Sequence, residues 1–480
     1  MRKKLVNGIR ILAFLVVLLG TLTVVYRALS WKDTLGEHVS SFAQLYATPE
    51  DTIDLVFVGS SHVYCGLLPE VLWQEKGISA FNMAVSGTDK NGIYYSLVEV
   101  LKTQSPEVVV VDLYSLGYER SEVQSNIYRK LLGMKTSRNS IDQVRADVED
   151  PEEQLDYIFR WPIVHTRYRE LSEEDYLLPE ENTFGRGERI YWKQESVSDP
   201  TGEAMNATPA PLNDANLRWL DSLYDLSLEK DFQLCFMVVP FTGYPGYDAL
   251  IKTAIAYGEE RGIPTFYGNA LIGEMGLDCN TDFVDGGHLN AYGAAKFTRG
   301  IGDFLAECYE LADHRSPEGA AGKDYSLWDR DLQWYLRECT WKDLEAISDH
   351  ELYLTALTRI EDLDVIVSLQ GDYAEKGVDY TSLCRIMDLT EEEYRNGGVW
   401  LYHDGQFKKI YENDETADPL IMDLSEYDSM RVQFERDDYG GILTPENLMI
   451  DWQSYANNGC YLKITSYDLQ MNRVIDSKGF

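Results

Sequence analysis

Four valines in succession, residues 108–111, follow Pro106 and run into Asp112. Consecutive β-branched residues favour extended backbone, and alternate side chains of a strand leave opposite faces. A strand that is apolar at every position must be covered on both faces, as in a parallel sheet sandwiched by helices. Residues 54–58, 80–85, 234–239 and 263–267 read as further strands. The stretches between them read as helices: residues 94–103, a segment with Leu217, Leu220 and Tyr224 at i, i+3 and i+7, and residues 291–309. Strand alternating with helix predicts an α/β domain on a parallel sheet, with its working edge at the carboxyl ends of the strands.

A chain of 480 residues exceeds what one core usually serves, so two domains are expected. The α/β domain is placed at residues 51–313. Within it, the connection at about residues 116–214 is too long for a loop and predicts an inserted lid or subdomain. Residues 314–324 have a linker composition. Beyond them, short apolar runs at 365–369, 400–403, 430–434, 461–466 and 473–475 predict a smaller β-rich α+β domain over 325–480.

A formal net charge of −37 argues against binding of nucleic acid or other polyanions. The seven cysteines are scattered singly, which supports neither a zinc site nor a disulfide framework, and no metal or cofactor is expected. At the N-terminus, Arg2, Lys3, Lys4 and Arg10 precede an apolar run over residues 11–26 that Arg27 ends. This predicts a signal anchor over residues 1–30, a single span with the following chain outside, and a stalk over residues 31–50. A cleaved signal peptide is the rival reading.

The chemistry-bearing residues fall at the expected working edge. Gly59-Ser60-Ser61-His62 follows the first strand, Ser86-Gly87 the second, and Asp285-Gly286-Gly287-His288 stands near the end of the domain. A serine hydroxyl needs a base, and the base needs a carboxylate to fix its tautomer. Ser61, His288 and Asp285 supply that set, with the Ser61 and Gly87 N–H groups as oxyanion donors. His62 is excluded as the base, because adjacent side chains at a helix start diverge. Asp112 reads as a structural acceptor or loop anchor, and Asp89 as a turn or cap residue. Arg160, Trp161, His165, Arg167, Tyr168 and Arg169 form a basic and aromatic cluster in the insertion. It either packs the insertion onto the body or forms a substrate-facing wall, where aromatics stack on sugars and arginines hold anions.

These blocks resemble the SGNH (GDSL-type) hydrolase superfamily over roughly residues 50–310. The resemblance implies a three-layer, flavodoxin-like parallel-sheet fold with Ser61 as nucleophile, Gly87 in the oxyanion hole and Asp285 and His288 completing the triad. The family's third block supplies an asparagine donor; here the third strand runs into Asp112-Leu113-Tyr114-Ser115, with Tyr114 or Ser115 as the residues available to replace it. The anchor and the following Leu289-Asn290-Ala291-Tyr292-Gly293 look like the envelope branch, which includes the teichoic-acid D-alanyl-transfer protein and polysaccharide O-acetyltransferases. That implies esterase or acyltransferase chemistry on a cell-surface glycan or acylated polymer, with a membrane acyl-donor protein as partner of a transferase. A non-catalytic surface protein binding a glycan or partner is the alternative. Gly459-Cys460-Tyr461-Leu462-Lys463-Ile464 through Val474-Ile475-Asp476-Ser477 resembles part of the interleukin-like EMT-inducer β-sandwich, implying an accessory binding module.

Overall fold

The computed structural model of the chain describes residues 2–30, 40–118, 124–169, 171, 185–244, 246–370, 381–412, 418–425, 428–436, 443–450, 453–455 and 460–480. It divides into two compact units, Met1–Tyr335 and Leu336–Phe480.

The first unit opens with helices α1 (Arg2–Leu29) and α2 (Ser40–Ala47). Then come β1 (Leu55–Gly59), α3 (Ser61–Gly66), α4 (Pro69–Lys76), β2 (Ala80–Ala84), α5 (Lys90–Val100) and β3 (Val108–Asp112), which ends in a 3-10 turn, Leu113–Leu116. The long connection carries α6 (Gln124–Leu131), α7 (Arg138–Asp147), α8 (Pro151–Phe159), α9 (Trp161–Val164), a 3-10 turn (His165–Arg169) and α10 (Thr201–Asn206). The alternation resumes with α11 (Asp214–Lys230), β4 (Gln233–Val238), α12 (Tyr247–Glu259) and β5 (Thr265–Tyr267). A short pair, β6 (Phe283–Asp285) and β7 (His288–Leu289), precedes α13 (Ala291–Cys308), α14 (Pro317–Ala320) and α15 (Ser326–Glu345), whose residues from Leu336 on belong to the second unit.

β1 to β5 form one parallel sheet in the order β2-β1-β3-β4-β5. β1, β2 and β3 are buried at every position, as the valine run requires. Val56, Val58, Val109, Val111 and Phe236 share a cluster with Ile93 and Leu97 of α5 and Leu220 and Leu223 of α11. These strand residues are spaced by two, so they point to one face. The chain reverses direction across the sheet between β1 and β3, the place where such sheets open a crevice at their carboxyl edge.

Two expectations are corrected. The described part of the expected stalk holds α2, whose Phe42 and Leu45 are buried in the sheet's core, because two large apolar side chains one turn apart are better placed there than in water; residues 31–39 lie outside the described residues. Residues 314–324 are not a free linker, and the first unit extends past 325. His314 pairs with Asp54, Tyr325 stacks on Trp73, and Trp328 is buried with its indole N–H donating to the Ala80 carbonyl at 3.2 Å. Asp331 forms a fully buried ion pair with Arg186 at 2.6 Å. Aromatic area and a buried charge tie this segment to the α/β body.

The second unit begins its own elements with α16 (His350–Leu357), β8 (Leu363–Leu369), α17 (Thr381–Met387), α18 (Glu391–Asn396), β9 (Gly398–His403) and β10 (Gln406–Glu412). It continues with β11 (Leu420–Asp423), β12 (Ser429–Arg436), β13 (Leu443–Ile450), β14 (Gln453–Ser454), β15 (Leu462–Asp468) and β16 (Arg473–Gly479). Its strands form two antiparallel sheets, β10-β9-β8-β15-β16 and β11-β12-β13-β14. One face of the larger sheet, with Val365, Val367 and Ile464, packs on Tyr353 and Leu354 of α16. The other, with Ile366, Val399 and Leu401, packs on Met430, Val432 and Leu448 of the smaller sheet.

If residues 325–331 belong to the α/β body, Trp328→Ala should cost the first unit about 3–5 kcal/mol, the usual cost of deleting a buried aromatic. Urea unfolding of the full chain, followed by a probe in the first unit, would show the loss.

Candidate active site

β1 must stop sharply for Ser61 to stand at the sheet edge. A Cβ on Gly59 would lie 2.3 Å from Val63 Cγ2 and 3.0 Å from Asp112 Cβ, so only glycine lets α3 fold back over the strand end. Ser60 makes no side-chain cap, which leaves the first N–H groups of α3 uncapped by it and Ser61 at the first helical position.

His288 and Asp285 arrive together. In the β6–β7 pair Asp285 stands opposite His288, and Gly286-Gly287 makes the turn. The Gly287 N–H donates to Asp285 Oδ1 at 2.7 Å. The Thr242 N–H, in the segment leaving β4, donates to the Gly286 carbonyl at 2.6 Å and ties the hairpin to the sheet. Directly after it, the buried Asn290 caps α13 through the Tyr292 and Gly293 N–H groups, while its amide donates to the Lys193 and Thr281 carbonyls at 3.1 and 2.7 Å. The path of the chain is therefore fixed on both sides of His288.

The three side chains meet. His288 Nε2 lies 2.8 Å from Ser61 Oγ, and His288 Nδ1 lies 2.9 and 3.1 Å from the two Asp285 oxygens. An ionised carboxylate only accepts, so Nδ1 carries the imidazole proton and Nε2 accepts from the serine hydroxyl. His288 and Asp285 remain partly exposed, so a ligand at the edge can reach them. Gly87 is exposed, has φ of +60°, and has no atom within 4 Å of where a Cβ would stand. A side chain there would be strained, and its absence leaves the backbone open to an incoming group.

A wall of aromatic residues, which sequence reasoning did not assemble, packs beside the serine. The buried His62 ring lies 3.6 Å from Tyr114 and 5.1 Å from the His288 ring, centroid to centroid. Tyr114 in turn packs against Phe241, Tyr244 and Tyr247. Burial, and next a hydrogen bond to Tyr244, hold the Tyr114 phenol well above its usual range. Burial, then the nearby His288, push His62 down, so it stays neutral; its Nε2 is buried with no hydrogen-bond partner. The signal for this wall was Phe241-Thr242-Gly243-Tyr244 after the fourth strand, but nothing in that spacing tells a site wall from a loop.

Asp112 ends β3 fully buried. Burial pushes its carboxyl up to about 7, against the pull of hydrogen bonds from the Tyr114 and Val239 N–H groups. Asp89 caps α5 through the Gly92 N–H, as read from the sequence, and also accepts an ion pair from Lys130 of α6 at 2.8 Å.

The insertion's basic cluster is placed with α1. Trp161 stacks on Tyr26, Arg167 donates to the Leu29 carbonyl at 2.8 Å, and Arg160 donates to the Met134 carbonyl at 3.0 Å. The His165 ring nitrogen lies 2.6 Å from the Pro162 carbonyl. Trp161 and Arg167 thus pack against the end of α1, and none of these contacts is with Ser61 or His288. Among the described residues no group of His, Cys, Asp and Glu could hold a metal ion. Compared with known proteins, the chain matches no family and no curated sequence.

Asp112 gives a pH test. Its folded value is raised, so the stability it contributes is complete below the ordinary carboxylate value near 4 and is lost as pH rises through 7. Tm of the wild type should fall between about pH 4 and pH 7, and Asp112→Asn should flatten that fall.

Proposed function

We propose that the first unit is a serine acyl-esterase or O-acyltransferase of the SGNH type, acting on acyl esters of a cell-surface glycan and held at the membrane by α1. The hydrogen bond from Ser61 Oγ to His288 Nε2, continued to Asp285, carries this reading. The flavodoxin-like strand order supports it, with Ser61 and Gly87 following the carboxyl ends of two adjacent strands. So does α1, whose residues Val6–Leu29 are long and apolar enough to cross a bilayer, with a mean hydropathy of 2.4.

In this mechanism His288 takes the Ser61 proton as the oxygen attacks the ester carbonyl. Asp285 holds the imidazole in its Nδ1–H tautomer and stabilises the imidazolium that forms. The Ser61 and Gly87 N–H groups receive the oxyanion; a single such donor is worth roughly 3–4 kcal/mol in the transition state. His288 then returns the proton to the departing alcohol and leaves an acyl-serine. Water, or a sugar hydroxyl deprotonated by the same imidazole, takes the acyl group in the second half. A transferase would receive its acyl group from a membrane partner protein.

After β3 this chain has Asp112, Tyr114 and Ser115 where the resembling family has an asparagine donor. Tyr114 is engaged in the aromatic wall and the Ser115 hydroxyl is buried without a partner. The oxyanion hole is accordingly read as two backbone donors.

A fluorophosphonate should label the wild-type chain at Ser61, and Ser61→Ala should abolish labelling. Ser61→Ala or His288→Ala should lower hydrolysis of an activated acetyl ester on the order of 10⁴-fold. Equal, negligible labelling of wild type and Ser61→Ala, with no ester cleavage by either, would sink the proposal.

A further inference from the structure

The described end of α1 is seated in the insertion. Leu29 is buried in a small core with Ile127, Tyr128, Leu131, Val144, Tyr157, Ile163 and Val164, and Tyr26 and Trp161 pack against its edge. The Tyr26 and Tyr128 hydroxyls lie 3.4 Å apart, and Arg167 caps the Leu29 carbonyl. Up to Tyr26 the apolar face of α1 is uncovered: Leu12, Val16, Leu19 and Val24 are all exposed. A helix bare along the span and socketed at its last turn fixes which part of the domain meets the membrane surface.

Beside that socket, the insertion exposes large apolar side chains. Leu155 and Phe159, one turn apart on α8, are 52% and 69% exposed, and Tyr168 on the following 3-10 turn is 58% exposed. Arg169 stacks on Tyr168 and donates to its hydroxyl at 2.8 Å. Phe159 lies two residues from Trp161, whose ring stacks on Tyr26. Aromatic rings and arginines around the end of a span are the composition of a membrane–water interface, with rings at headgroup level and guanidinium groups against phosphates. In water the same residues would be an unexplained apolar patch.

We infer that helices α8 and α9 with their 3-10 turn form a platform that rests in the headgroup zone of the bilayer around α1, Leu155, Phe159 and Tyr168 entering it. The inference rests on α1 being a membrane span. α6 links the platform to the candidate site. Tyr128 meets Tyr26, and two residues on Lys130 is buried between Asp89 and Asp147, at 2.8 and 3.1 Å. Asp89 lies two residues beyond Gly87. The proposed acyl chemistry is thereby held at a set height on the membrane rather than at the end of a tether.

The test places a photoreactive benzophenone side chain singly at Leu15, Phe159 or Leu228 of the full chain in phosphatidylcholine–phosphatidylglycerol bilayers. Leu228 is 66% exposed on the last turn of α11, which leads into the start of β4 and so lies at the sheet edge opposite Ser61. After irradiation, mass spectrometry should find lipid adducts at Leu15 and Phe159, at least about tenfold above Leu228. Adducts at Leu15 with Phe159 no higher than Leu228 would overturn the platform and leave the span standing. No adduct at Leu15 would overturn the span and the platform with it. The same side chain at Tyr168 repeats the reading should the Phe159 variant fail to fold, and must give the same answer.

Discussion

Desolvation of the central strands governs the first unit. β1 and β3 are covered on both faces, so their polar and reactive neighbours can only stand where the strands end. Ser61 stands two positions beyond the last residue of β1, and Gly87 follows β2. Asp112, the one acid that closes a central strand, is drawn far enough into that core for burial to push its carboxyl up to about 7. The candidate triad thus lies at the boundary between an interior that excludes charge and an edge that admits solvent.

The same exclusion explains how the insertion is fastened. Lys130 is withdrawn from water between Asp89 and Asp147, and burial pushes Asp147 up even with the ammonium beside it. Such a triad adds little net stability but makes misplacement expensive, because removing one partner strands the others in low dielectric. It gives the connection between the insertion and the start of α5 a defined geometry, which an apolar contact of the same area would not.

The strands of the parallel sheet were legible because two-sided burial leaves nearly unbroken apolar runs; residues 108–111 and 234–239 announced β3 and β4 almost to the residue. Ser61, Asp285 and His288 were legible as a set, and they are brought within hydrogen-bond distance. The aromatic wall was not, since His62, Tyr114 and Phe241 come from three segments that only the fold brings together. In the second unit, β10 and β13 escaped notice for a physical reason. Gln406-Phe407-Lys408-Lys409 faces solvent on alternate positions, and Pro445 and Asn447 break the β pattern of the other. The segment around Trp328 read as the start of a second domain because local composition cannot reveal which core an aromatic side chain fills.

The Asp-Gly-Gly-His hairpin has one more consequence. Asp285 and His288 face each other across a single turn, so their mutual hydrogen bond is internal to four residues. The bond from His288 to Ser61 crosses from that turn to α3. A displacement of α3 relative to the hairpin would therefore part His288 from Ser61 while leaving the imidazole tautomer intact. On the proposed function, the tautomer that the mechanism needs is set within the turn itself, whether or not Ser61 is in reach.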